Sequence, residues 1–117
     1  MLVIRPEQME AFAAYKRRQF ETRIAAQLRE DYPEETAASS DEELMAFVAK
    51  QIDRARNHGI VRTEDVAIFV DRAAWYGDGW DERLDWARKI LTDHELDGAA
   101  RIEDIRQYEA THLEELE

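Results

Sequence analysis

The chain has 117 residues and a formal net charge of −11, with 16 Lys and Arg against 27 Asp and Glu. It contains no cysteine, which excludes a disulfide scaffold and a thiolate zinc site. No apolar run approaches the ~18–20 residues of a membrane span, and the apolar start Met1-Leu2-Val3-Ile4 is too short for a signal peptide; a single acidic, cytoplasmic domain over residues 1–117 is expected.

Pro6 suits the first turn of a helix, where its missing N–H costs nothing. Met9, Phe12, Phe20, Ile24 and Leu28 then recur at steps of three, four or eight, a helical stripe that should run to about Tyr32 and stop before Pro33. Residues 33–40 read as a polar connection. Ser40 and Glu43 form a capping box, with Asp41 and Glu42 also favouring the helix dipole. Leu44, Phe47, Val48, Ile52 and Ala55 mark the buried face of a second helix. Gly59 should end it in the left-handed conformation, with Ile60 folding back as the following hydrophobic contact.

Thr63 is the expected cap of a third helix, with Glu64 and Asp65 in its first turn. The run from Val66 to Tyr76 is apolar nearly all round, as in a helix placed centrally in a fold. Residues 66–70 are also compatible with a strand, but the cap before them and the alanines after them favour helix. Gly77-Asp78-Gly79 breaks the helix, and Trp80 to Asp85 is a loop or a single turn. Trp86, Ala87, Ile90 and Leu91 give a short fourth helix. Asp97-Gly98 opens a fifth, with Ile102, Ile105, Leu113 and Leu116 expected inward. The acids at 114, 115 and 117 oppose that helix's dipole, so its end should fray. The pattern predicts an all-α bundle of about five helices around a central third helix.

The charge is unevenly spread. Residues 1–32 hold 6 basic and 5 acidic side chains, whereas residues 33–117 hold 10 and 22. A surface of this sign repels nucleic acid and anionic lipid and speeds encounter with a basic protein. It also serves solubility alone. Lys16-Arg17-Arg18 is the only basic run, and on a helix its members diverge. Arg17 can pair with Glu21, and the Lys16 stem can cover Phe12 and Phe20.

No catalytic, cofactor or metal set stands out. Ser39 and Ser40, the only serines, lie at a helix start. His58, His94 and His112 fall near expected helix ends, where the dipole favours them, and none has a paired-ligand spacing. A calcium loop starting at Asp78 would need oxygen ligands at its third and fifth places, glycine at the sixth and glutamate at the twelfth. Those places hold Trp80, Glu82, Arg83 and Lys89. A carboxylate pair for glycoside hydrolysis can be drawn from so many acids, but without specificity.

All three tryptophans fall between positions 75 and 86. Trp75, Tyr76, Trp80 and Trp86, with Asp81, are the candidate partner-binding residues, because Trp and Tyr dominate interface hot spots. The competing reading is that the rings anchor an irregular segment onto the core.

His58-Gly59-Ile60, the stretch Glu64 to Asp71, Tyr76-Gly77 with Trp80-Asp81, and Leu84 to Leu91 follow one another in order, after the opening Ile4 to Met9. In this the chain resembles, from about Ile4 to about Ile105, a group of small helical bacterial proteins encoded beside type VI secretion spike and effector genes. Leu84-Asp85-Trp86-Ala87 stands where the group has Leu-Pro-Trp-Ala, so the start of the fourth helix departs from it. The resemblance implies a cytoplasmic accessory role, as adaptor or chaperone-like partner of a secreted effector or spike component, and supplies no catalytic residue. The first rival is an immunity protein that blocks a toxin. An enzyme and an acidic mimic of nucleic acid are the others.

Overall fold

In the computed structural model, residues 6–116 are described, and side chains from Met9 onward. The apolar start Met1 to Ile4, the Ile4-Arg5 of the resemblance and the terminal Glu117 lie outside the described residues. Every regular element among those described is helical. There are eight: α1 (Pro6–Asp31), α2 (Pro33–Thr36), α3 (Asp41–Asn57), α4 (Thr63–Tyr76), α5 (Trp80–Arg83), α6 (Asp85–Leu91), α7 (Gly98–Thr111) and α8 (Leu113–Leu116). The five longer ones are the five expected from the sequence; α2, α5 and α8 are single turns. The run 66–70 is helix. No helix among the described residues is long and apolar enough to cross a membrane.

The helices gather into two compact units, Met1–Ala49 and Lys50–Glu117, with the division falling inside α3. In the first, Ile24, Ala25 and Leu28 of α1 and Leu44 and Val48 of α3 are buried. Pro33 stops α1 but starts α2, so the expected polar connection is partly helical. Arg29 joins the pieces: its guanidinium donates to the carbonyls of Thr36 (2.9 Å) and Ser39 (3.0 Å) and to Asp41 (2.9 Å). The capping box is present. The Glu43 N–H donates to Ser40 Oγ at 3.1 Å and the Ser40 N–H to Glu43 Oε1 at 3.0 Å. The bonds from Ser40 hold the Glu43 carboxyl below its ordinary pKa. Arg17 lies 3.6 Å from Glu21. The α1 stripe is only half used: Met9 and Phe12, expected inside, are 59% and 61% exposed.

In the second unit, α4 buries Val66, Phe69, Val70 and Ala73, and α7 buries Ile102 and Ile105. The end of α3 follows its sequence signal. Gly59 has φ +76°, its N–H bonds Arg56 O, and the Ile60 N–H reaches back to Ala55 O at 3.0 Å. These are the two bonds of a Schellman ending, and Ile60 is fully buried. Thr63 is not the cap of α4. Arg62 occupies that place without a side-chain cap bond and grips Asp65 instead, Nε to Oδ2 at 2.7 Å. Asp97 does cap α7, accepting from the Ala100 N–H at 2.8 Å. Leu113, expected inward, is 59% exposed, because the helix breaks at His112 and α8 starts afresh.

Gly98 sets how α7 meets the turn after α3. A Cβ at this position would stand 2.1 Å from Gly59 O and 2.9 Å from Ile60 Cα, both backbone. Arg101, one turn on, fixes the same approach by donating to His58 O (2.7 Å) and Asp93 O (2.9 Å). Gly98→Ala should therefore lower stability by about 3 kcal/mol, since backbone cannot step aside as a side chain can. Gly79, at φ +81° with nothing within 4 Å of an added Cβ, should accept Asn at a cost of about 1 kcal/mol. Chemical denaturation of the two variants checks the contrast.

Candidate functional site

The aromatic residues singled out in the sequence gather in the second unit, and two glycines direct them. Gly77 (φ +102°) ends α4, its N–H bonded to Ala73 O. Gly79 (φ +81°) starts α5 from the left-handed region. L side chains avoid these conformations. The double turn reverses the chain tightly enough to drive the next two side chains, Trp80 and Asp81, into the interior.

Trp80 is fully buried. Its ring lies 5.1 Å from Phe69, 5.6 Å from Tyr76 and 6.4 Å from Trp86, centroid to centroid. From Trp86 a stack continues outward: Trp86 on Tyr108 at 4.4 Å and 5°, then Tyr108 on His112 at 3.9 Å and 16°. Parallel rings this close are the offset-stacked arrangement that aromatic quadrupoles favour. The stack ties α6 to the end of α7.

Asp81 is 2% exposed. A carboxylate taken out of water needs counter-charge and donors, and α3 supplies both. Arg54 donates to Oδ1 from Nε (3.2 Å) and Nη2 (2.9 Å), and Nη2 also reaches Oδ2 at 3.1 Å. His58 Nε2 is 2.8 Å from Oδ2. Arg54 also lies 3.4 Å from Glu82. Burial works against the Arg54 charge, but the bonds from Asp81 outweigh it and hold the guanidinium above its ordinary pKa. One turn back, Asp78 accepts from Lys50 Nζ (2.6 Å) and Gln51 Nε2 (2.8 Å), and those bonds hold its carboxyl below the usual range.

A further carboxylate is gripped by the last turns of α4. Arg72 donates to both oxygens of Glu109, at 2.7 and 2.9 Å, and the Tyr76 hydroxyl donates to Oε2 at 2.6 Å. Burial first, and then Glu109, push the Tyr76 phenol well above its ordinary pKa.

The five residues expected at a partner surface therefore part company. Trp75 is 58% exposed. Tyr76 and Trp86 are half-buried. Trp80 and Asp81 are interior and offer no surface, because the glycine turn points them inward and Arg54 and His58 satisfy the charge there. The anchoring reading of the aromatics holds for Trp80. His58 does not serve as a helix cap; its imidazole serves Asp81. His112 stacks on Tyr108 and places Nδ1 3.0 Å from Tyr108 O. The sequence reading missed Arg54, Gln51, Arg72 and Glu109. A signal existed for the first: Lys50, Arg54 and His58 recur every four residues, a line of nitrogen-bearing side chains on α3, with acids at 78, 81 and 82 in the loop that follows α4.

The described residues contain no group of three or more His, Asp or Glu placed to hold a metal ion. Asp78, Asp81 and Glu109 are all engaged by cationic side chains. The bonds and ring contacts join α3 to α5 through Asp81, α4 to α7 through Glu109, and α6 to α7 through Trp86. No family model matches the chain, and no curated protein or solved structure matches it.

Asp81→Ala should cost about 3 kcal/mol, since it leaves Arg54 and His58 without their carboxylate; a urea titration measures it. The Tyr76 phenol has a folded pKa above its unfolded value of about 10. Its stabilisation is then complete below pH ~10 and drains as pH rises further. In a spectrophotometric titration the Tyr76→Phe variant should lack a step that the parent chain shows above pH ~10.

Proposed function

We infer that the chain is a non-catalytic protein-interaction module, a type VI secretion accessory protein of the adaptor or chaperone-like kind. Its partner would be a basic segment of a secreted effector or spike component. The observation that carries this reading is Trp75. A tryptophan 58% exposed sits on the last turn of α4, next to Tyr76, which is bonded to Glu109. Exposed aromatic rings on rigid supports are the usual anchors of protein interfaces, since little entropy is lost on binding.

The charge supports the sign of the partner. Residues 50–117 hold 10 Lys and Arg against 17 Asp and Glu. Glu82, with a side chain 76% exposed, and Asp78, at 44%, follow Trp75 closely in the chain. A basic segment would be steered to such a surface and would lay an apolar or cationic side chain on the indole. The secretion setting rests on the resemblance of the chain, from about Ile4 to about Ile105, to the accessory group.

Co-expression with the products of neighbouring genes, followed by affinity capture, tests the reading. The intact chain should retain one of them, and Trp75→Ala should weaken that complex about 30-fold, the size of a hot-spot loss. No complex with any neighbour would count against it. Rescue of growth with inhibition of an adjacent toxin would instead favour the immunity reading.

A further inference from the structure

The first unit carries a surface of different character. Every residue from Met9 to Lys16 is exposed. Met9, Phe12 and Tyr15, at 59%, 61% and 59%, place three large apolar side chains in water within two turns of one helix. Clustered apolar exposure of this kind marks an interaction site more often than chance scatter does.

The cluster continues as a face. Phe12, Lys16, Gln19 and Arg23 follow at steps of four, three and four, with Tyr15 along one edge. At about 100° per residue this face lies roughly 120–180° around α1 from Leu28, which is buried. The core of the unit is thus built from the other side of the helix. The charge of the face has one sign. Lys16 Nζ stands 5.4 Å over the Phe12 ring, and the Arg23 guanidinium 5.8 Å over Phe20. Arg18 joins Tyr15, Lys16 and Arg23 around an open depression of about 570 Å3. Glu10 and Glu21, the acids of this stretch, fall on the opposite side of the helix.

We propose that this face of α1 is a docking surface for an acidic amphipathic helix of a partner protein, with aliphatic side chains between its carboxylates. Aliphatic groups would cover Met9, Phe12 and Tyr15 in the manner of helix-on-helix recognition. The carboxylates would meet Lys16, Arg18 and Arg23. An anionic membrane is the less fitting occupant. A bilayer presents its charge to the whole chain, at −11, whereas a single helix meets only the cationic face, and screening over ~8 Å hides the rest. The surface is independent of Trp75; failure of the effector reading leaves it standing.

The test uses the full chain and two fluorescein-labelled helical peptides of about three heptads. One has a leucine stripe flanked by glutamates, and the other has lysines in place of the glutamates. Fluorescence anisotropy should show micromolar binding of the glutamate peptide, about tenfold or more tighter than the lysine peptide, and weaker at high salt. Phe12→Ala with Tyr15→Ala, and separately Lys16→Glu with Arg23→Glu, should each reduce the affinity about tenfold or more. Circular dichroism and thermal melting should remain those of the parent chain, because these side chains lie outside the core. Equal affinity for the two peptides overturns the proposal, as does binding that the α1 substitutions leave unchanged. Vesicles of phosphatidylglycerol and phosphatidylcholine form the third arm. Vesicle binding through the same side chains without peptide binding overturns it in favour of a membrane; binding of neither overturns it outright.

Discussion

A buried carboxylate organises the second unit. Asp81 sits almost wholly out of water, and a charge in that position is tolerated only while Arg54 and His58 stay within reach. The requirement works in both directions. It holds the second half of α3 against α5, and it fixes the neighbouring Trp80 among Phe69, Tyr76 and Trp86. Two glycines with positive φ make the chain reversal possible. Without the ion pair that reversal would bury an uncompensated charge; without the reversal the ion pair would have no acid.

The same economy of groups recurs around α4. Glu109 is closed by Arg72 and Tyr76, and Asp78 by Lys50 and Gln51. These carboxylates are committed to holding helices together. What they leave outside is the exposed indole of Trp75, with acidic side chains close to it in the chain. Such a region suits recognition, where a rigid anchor limits the entropy lost on association. In the first unit one face of α1 carries the opposite sign. There α1 combines exposed aromatics with lysine and arginine on one side, while Ile24 and Leu28 build the core from another. Two surfaces of opposite charge discriminate between partners of opposite sign.

Much of this was legible before any coordinates. The capping box at Ser40 and Glu43, the Gly59-Ile60 ending, the stop at Gly77 and the Asp97 cap are local events. Each is decided by hydrogen bonds within a few residues, so the sequence alone determines the five longer helices and their limits to within a residue or two, except the end of α7, which stops at Thr111 instead of running on through Leu113. The single-turn α2 lies where a polar connection is expected, because a loop and a one-turn helix share the same short-range signals, whereas α5 is the single turn that Trp80 to Asp85 allows.

Tertiary structure alone decided which side of a helix is covered. Met9 and Phe12 recur at the same short steps as Ile24 and Leu28, yet over sixteen residues the helix turns Phe12 about 160° away from Leu28, and only Ile24 and Leu28 meet the core. Leu113 was misjudged for a related reason: a one-residue break at His112 rotates everything after it. Trp80 and Asp81 look like surface residues in a polar, glycine-rich stretch. Asp81 is held inside by Arg54 and His58, more than twenty positions away; the four-residue spacing of Lys50, Arg54 and His58 draws a line on α3, but only the fold decides which acids meet it.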